Sequence, residues 1–283
     1  MRSIRPAKLC RSWLFLEGAD ERGLLRAPDS GADVLIQELE DFTPQSLRPK
    51  ARSLAPEIYQ SWREAGAVAA VRINPLDGDG LEDLAQVMRG RPDIVALPKV
   101  AEPQQIARLD QAVARFEREY GIAEGSTALL PNIEFARGLV QTAAIAGSSR
   151  RIAACLLASE DLAADLGAER GQDGVELAYC RQRFLVECVA AGVVAVDCPY
   201  TWSDAEGVER DTRWARSWVM SQKAWWIRHM PPSSMACWIP ASRIFAAPAA
   251  SWRRLKPRAP KARRGRSATD RWSNSRPTLR PDA

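Results

Sequence analysis

Short apolar runs and longer amphipathic stretches alternate along residues 1–216. Seven runs read as buried strands: Ser12–Leu16, Val34–Leu39, Ala67–Ile73, Ile94–Pro98, Ala128–Ile133, Ile152–Ala158 and Gly192–Val196. The segments between them carry apolar residues at helical spacing. Val175–Ala191, for example, places Leu177, Cys180, Phe184 and Cys188 on one face. Strand, helix, strand, helix is the pattern of a parallel sheet. The fold class it predicts is α/β, a (β/α)8 TIM barrel that stands one strand short, so the eighth strand is expected to be missing.

The pattern stops near residue 216. Eight of the ten tryptophans follow residue 200, and from Pro240 onward Arg, Pro, Ser and Ala dominate without periodicity. Charge breaks at the same place. Residues 1–216 carry 26 Lys and Arg against 33 Asp and Glu, a net of −7, whereas residues 217–283 carry 14 against 2, a net of +12. The expected organisation is an incomplete barrel domain over 1–216 and a basic tail over 217–283, disordered by composition.

The total of 283 residues suits one barrel domain. No apolar run approaches the roughly 18 residues that cross a bilayer. The basic start, Met1-Arg2-Ser3-Ile4-Arg5, is not followed by an apolar segment of leader length. The six cysteines form no CxxC pair, and Cys155 and Cys188 sit in apolar surroundings. They read as reduced core residues of a cytoplasmic protein rather than thiolate ligands. His229, the only histidine, lies beyond the break and is given no catalytic role, which argues against Ser-His-Asp and Cys-His chemistry.

Candidate chemistry collects where the strands end. Leu130-Pro131-Asn132-Ile133-Glu134 and Ser159-Glu160-Asp161 each deliver a carboxylate there. Two carboxylates on neighbouring strands suit a hard cation, and magnesium keeps several waters for substrate oxygens to displace. Asp161 also reads as a helix N-cap. Arg72, in Val71-Arg72-Ile73-Asn74-Pro75, either clamps a substrate oxygen or braces the mouth against a neighbouring acid. Glu38-Leu39-Glu40-Asp41 reads as support for the metal through its waters, with Glu40 and Asp41 the supporting acids, or as an acidic loop in solvent. Lys99 reads as a contact for phosphate or carboxylate, or as a solvated strand-end lysine.

In order, these stretches resemble the citrate lyase beta-subunit and malyl-CoA lyase family, within the HpcH/HpaI aldolase superfamily. The family's Arg-Ser-x-Leu-Phe-x-Pro-Gly is similar to Arg11-Ser12-Trp13-Leu14-Phe15-Leu16-Glu17-Gly18. Its Leu-Asp-Leu-Glu-Asp resembles Gln37-Glu38-Leu39-Glu40-Asp41, and Val71–Pro75 and Leu97–Val100 match well. Its Pro-x-Ile-Glu-Thr-x-x-Gly becomes Pro131 to Gly138 with Phe135 for threonine. Its Phe-Gly-x-Glu-Asp-x-x-x-Asp-Leu-Gly becomes Leu157 to Gly167 with Ala158 for glycine. The resemblance covers about residues 10–216. It implies a barrel that assembles as a homo-oligomer and uses Mg2+ held by Glu134 and Asp161. Arg72 is then the substrate-binding, catalytic arginine, and Arg11 and Lys99 are CoA or substrate contacts. The implied reaction cleaves a hydroxyacyl-CoA, of malyl-, citramalyl- or citryl-CoA type, to a 2-oxo acid and an acyl-CoA. Two other readings stay open: a metal-dependent aldolase on free oxo acids, and a non-catalytic protein binding a polyanion through its basic tail. Nucleic acid and membrane partners are not expected of the lyase.

The family's eighth-strand pattern, Gly-Tyr-x-x-Lys, is absent, and Ser217–Met230 stands in its place. Trp225-Trp226-Ile227 must be encoded TGG TGG ATH, and one shifted frame of that string forces Val-Asp. With permitted codons, this frame lets Trp218 onward read Gly-Tyr-Val-Ala-Lys. The expectation is a frame shift near Arg216–Ser217, leaving strands one and seven with unpaired edges and little or no activity. Sequencing the coding DNA across codons 205–283 tests it: an extra or missing base near codon 216 supports the shift, and an unbroken frame without one removes it.

Overall fold

The computed structural model describes residues 5–218, 220 and 222–226. Eight strands run in chain order: β1 Ser12–Glu17, β2 Val34–Glu38, β3 Val68–Arg72, β4 Ile94–Leu97, β5 Ala128–Ile133, β6 Ala154–Leu157, β7 Val194–Asp197 and β8 Gln222–Trp226. Among the described residues the helices are α1 Glu21–Arg26, α2 Arg48–Glu64, α3 Gly80–Val87, α4 Pro103–Glu119, α5 Ala136–Leu139, α6 Thr142–Ala146, α7 Ser159–Leu166, α8 Ala178–Ala190 and α9 Ala205–Ser217. Every strand pairs in parallel with the next, and β8 pairs with β1, so the sheet closes on itself.

The period of two along each strand divides the apolar residues into two cores. One set, including Trp13, Phe15, Ile36, Ala70, Leu130, Leu156 and Ala224, fills the barrel. The other, including Leu14, Leu35, Val71, Val95, Cys155 and Leu157, faces the helices. Large residues lie among alanines inside, which lets the layers of a narrow barrel interdigitate. Both faces being buried explains why the strands read as continuous apolar runs rather than alternating ones.

The eighth strand corrects the expectation of an open barrel. It comes from Gln222-Lys223-Ala224-Trp225-Trp226, inside the stretch that breaks from the family pattern. Its polar start hides it from a search for apolar runs, because it is held by paired polar groups. The indole of Trp13 donates to Gln222 Oε1 at 3.0 Å, and Gln222 Nε2 donates to the Ala7 carbonyl at 2.8 Å. Lys223 faces the helices, fully buried, with Nζ 2.8 Å from Asp197 and 2.6 Å from Asp211. Arg181 of α8 joins both acids, at 2.5 Å to Asp197 and 2.7 Å to Asp211. Burial pushes the Asp197 carboxyl up, but Lys223 and Arg181 together pull it below the usual carboxylate range. The barrel therefore extends past residue 216. The rest of the expected tail, His229 included, lies outside the described residues. No helix among the described residues is long and apolar enough to cross a membrane.

Removing one member of a buried ion cluster strands the others. Lys223→Met is therefore expected to lower stability by about 3 kcal/mol in urea unfolding. A loss below about 0.5 kcal/mol, the scale of an exposed pair, would show that β8 does not close the barrel through this cluster.

Candidate active site

Parity carries Arg72 to the inside of the barrel: Val68 and Ala70 of β3 face inward, and Arg72 is the next inward position, at the C-terminal mouth. It is 2% exposed. Its Nε lies 2.9 Å from Glu38 and 3.5 Å from Glu40, while Asp41 and Glu134 approach its Nη atoms at 3.7 and 3.8 Å. Phe15 and Phe42 sit near the guanidinium at 5.2 and 5.8 Å from their ring centres. Burial works against the charge, but Glu38, Glu134, Glu40 and Asp41 hold the guanidinium pKa above its ordinary value. The two sequence readings of Arg72 therefore coincide. It is braced by acids, and its Nη2 still makes no hydrogen bond.

Glu38 does the bracing. Its Oε1 accepts from Arg72 Nε and from the Glu40 amide at 2.7 Å, and its Oε2 accepts from the Phe42 amide at 2.6 Å. One buried carboxylate thus fixes both the arginine and the loop that carries Glu40 and Asp41. Asn74 secures the same loop by donating to the Leu39 carbonyl at 2.9 Å, and is itself held by Asp83. Gly18 lets β1 approach this corner, where a Cβ would stand 2.4 Å from the Glu38 carbonyl oxygen.

Glu40 is buried and Asp41 is 45% exposed, so the acidic loop is not simply solvated. Burial raises the Glu40 carboxyl against the opposing pull of Arg72 and Lys99. Lys99 Nζ lies 2.5 Å from Glu40 and 3.8 Å from Asp41. Lys99 occupies the left-handed region at φ 56°, a costly conformation for a residue with a Cβ. Gln105, paired with Glu102 in a capping box at the start of α4, holds the Lys99 carbonyl at 3.1 Å.

Glu134 follows β5, is completely buried, and neither carboxylate oxygen has a hydrogen-bond partner. Burial pushes its carboxyl up to about 8; Arg72 opposes this, while Glu40 and Asp161 add to it. Asp161 is the third residue of α7, whose N-cap is Ala158, and α7 has no side-chain cap hydrogen bond. The N-cap role open to Asp161 in the sequence is thus not the one it fills. Asp165, one turn on, accepts from the Ala136 amide at 2.8 Å and ties α7 to the residues after Glu134. An orphaned buried carboxylate with a second acid beside it fits a hard divalent cation, with the remaining positions left to water and substrate. No group of three or more His, Cys, Asp or Glu side chains suited to a metal occurs among the described residues.

Arg72, Glu134, Asp161, Glu40, Asp41 and Lys99 are thus gathered at the mouth. Arg11 is not. It precedes β1, at the opposite end of the barrel, where its amide donates to Asp33 at 2.7 Å and its Nε lies 3.7 Å from the same carboxylate. Six residues of strand, roughly 20 Å, separate it from the mouth, so it does not join the other expected site residues there. Sequence reasoning passed over Glu38, Asn74, Asp83 and Asp165 as supports. Glu38 lay in view within the acidic run, but nothing in the spacing told which of its acids turned inward.

A closed parallel barrel with buried carboxylates and an arginine at its C-terminal mouth defines an α/β-barrel enzyme. A family model described as HpcH/HpaI aldolase/citrate lyase matches residues 11–223, and the chain belongs to that family, one of carbon–carbon lyases and aldolases. Citrate lyase subunit beta of Haemophilus influenzae is 34% identical over 200 residues, 70% of this chain and 69% of that protein. Mitochondrial citramalyl-CoA lyase of Rattus norvegicus is 26% identical over 215 residues, 72% of this chain and 63% of that protein. The structure of citrate lyase beta subunit complexed with oxaloacetate and magnesium from M. tuberculosis superposes with a TM-score of 0.61 at 25% identity, covering 78% of this chain and 93% of that one.

The titration of Glu134 gives a signed expectation for the metal-free protein. Its carboxyl ionises near 4.5 when unfolded and near 8 when folded. As pH rises between those values the unfolded chain gives up the proton first, so stability falls, and the full cost is present above 8. In EDTA, Glu134→Gln is expected to gain stability over the parent from pH 5 to about 8 and to level off above it, read by urea unfolding. A difference that stays constant over that range would show that Glu134 ionises normally.

Proposed function

We propose that the chain is a magnesium-dependent lyase that cleaves a hydroxyacyl-CoA to a 2-oxo acid and an acyl-CoA. The observation that carries this is the Glu134 carboxylate, buried and unpartnered beside Asp161 and 3.8 Å from Arg72. The relatives supply the reaction class, since they are named citrate lyase and citramalyl-CoA lyase. Glu134 and Asp161 would hold Mg2+, which when bound supplies Lewis-acid polarisation of the oxo-acid oxygens. Arg72 is preorganised by Glu38 and presents Nη2 to the oxygen on which negative charge develops. In cleavage the substrate hydroxyl loses its proton, the carbon–carbon bond breaks, and its electron pair passes to the thioester enolate, which then takes up a proton. The Lys99–Glu40 pair keeps a charged ammonium at the mouth for an anionic part of the substrate.

A second reading, an aldolase on free oxo acids, gains from one observation. Arg11 lies at the far end of the barrel, so of the two expected CoA or substrate contacts only Lys99 stands at the mouth. The expectation of little or no activity rested on unpaired edges of β1 and β7 and on replacement of the family's C-terminal part; β8 pairs with both strands, and the rest of the replaced part lies outside the described residues.

Purified protein should cleave one of malyl-CoA, citramalyl-CoA or citryl-CoA when Mg2+ is added and stop with EDTA, with the free acyl-CoA and 2-oxo acid measured by chromatography. Arg72→Lys keeps the charge but loses the fork, and kcat should fall about 100-fold or more. Folded protein that cleaves none of the thioesters but condenses or cleaves free oxo acids would select the second reading.

A further inference from the structure

Asp161 owes its position to its helix. Among the described residues its carboxylate makes no hydrogen bond or ion pair. α7 has eight residues and no side-chain cap, and a helix that short does not hold itself in place. Whatever fixes its first turn therefore decides where Asp161 stands beside Glu134.

Glu160 supplies that hold. Consecutive helix residues point about 100° apart, so Glu160 turns away from Asp161, toward the loop that follows β7. Its Oε1 accepts from Thr201 Oγ1 at 2.7 Å and from Arg170 Nε at 3.2 Å. Ser159 donates from Oγ to the Pro199 carbonyl of the same loop at 3.4 Å. Arg170 is gripped on two further sides, by Glu176 at Nη1 and by the Trp202 ring, whose centre lies 4.8 Å from the guanidinium. Trp202 packs on Tyr200 with ring centres 5.3 Å apart, and Tyr200 donates to Asp204, the N-cap of α9, at 2.6 Å. At the other end of α7, Asp165 is tied to the Ala136 amide. The helix is thus pinned at both ends, with Asp161 between. Glu160 is 41% exposed, so its ion pair adds little to stability, and its effect is on geometry.

We infer that Glu160 is a positioning residue: through Thr201 and Arg170 it sets where α7 places Asp161, and so the spacing of the two carboxylates that hold the metal. This rests on the magnesium reading above. The clasp does not act by lending charge to the cation, because Arg170 is itself a cation and Thr201 is neutral. The two explanations consequently differ in sign. If these groups acted on the metal through charge alone, removing Arg170 would strengthen binding and removing the Thr201 hydroxyl would leave it unchanged. Acting by holding α7, both changes weaken binding, as the loss of groups that orient metal ligands generally does.

Mn2+ binding to the full chain, read from the loss of the free-ion signal in electron paramagnetic resonance, tests this without turnover. Arg170→Met is expected to weaken Mn2+ binding about 10-fold, and Thr201→Val about 5-fold. Added to Glu160→Ala, Thr201→Val should cost less than about 2-fold more, because both act through one contact. Thermal melts in EDTA check that each variant folds. Arg170→Lys, which keeps the charge but loses the fork, replaces Arg170→Met if that variant does not fold, and is expected to weaken binding as well. Unchanged or tighter Mn2+ binding in a folded Arg170 or Thr201 variant, or losses at Glu160 and Thr201 that simply add, overturns this proposal alone. Parent protein that does not bind Mn2+ overturns the magnesium reading together with it.

Discussion

One buried guanidinium balances the mouth of the barrel. Glu38, Glu40, Asp41 and Glu134 all lie within 4 Å of Arg72, and each would be costly to bury alone. With Lys99 at the rim and Asp161 beside Glu134, five carboxylates face two cations. Burial pushes the Glu134 carboxyl up to about 8, and Glu40 and Asp161 add to the rise against the pull of Arg72. A divalent cation there would supply the missing charge and displace the proton. The site's electrostatics and its fit to a hard cation are therefore the same fact.

The imbalance also explains why so much of the surrounding structure is devoted to Arg72. Glu38 spends both carboxylate oxygens on the arginine and on the amides of the loop that carries Glu40 and Asp41. Asn74, held by Asp83, which also pairs with Arg52, anchors the loop from the other side. A second chain of polar contacts, from Asp165 to the Ala136 amide, fixes the approach of α7 to the end of β5. The side chains that meet substrate are few, and the ones that hold them in place lie on separate elements.

Much of this was legible in the sequence because burial on both faces makes barrel strands apolar throughout. β5 falls on Ala128–Ile133, the run read from the sequence, and the strand ends that carry Arg72, Lys99, Glu134 and Asp161 fall where the apolar runs stop. A search for apolar runs fails where polar residues are paired internally, and this is why β8 was missed. Lys223 and Gln222 look like surface residues, yet they are buried against Asp197, Asp211 and Trp13. Arg11 was misplaced for a different reason. The motif containing it spans a whole strand, and only the direction of β1 tells that its first residue lies at the bottom and Gly18 at the top.

The two ends of the barrel thus use the same residue types for opposite purposes. At the bottom, Asp33 gathers Arg5, the Arg11 amide and Ser12, with its oxygens accepting from groups that need no ligand. At the top, Glu134 and Asn132 are equally buried, yet none of their side-chain polar atoms is satisfied. Burial without pairing is unfavourable for folding, and it is concentrated at the end where α/β barrels place their chemistry. The unpartnered atoms of Glu40, Arg72, Asn132 and Glu134 thus share one end of the barrel, whereas Asp33 is fully engaged at the other.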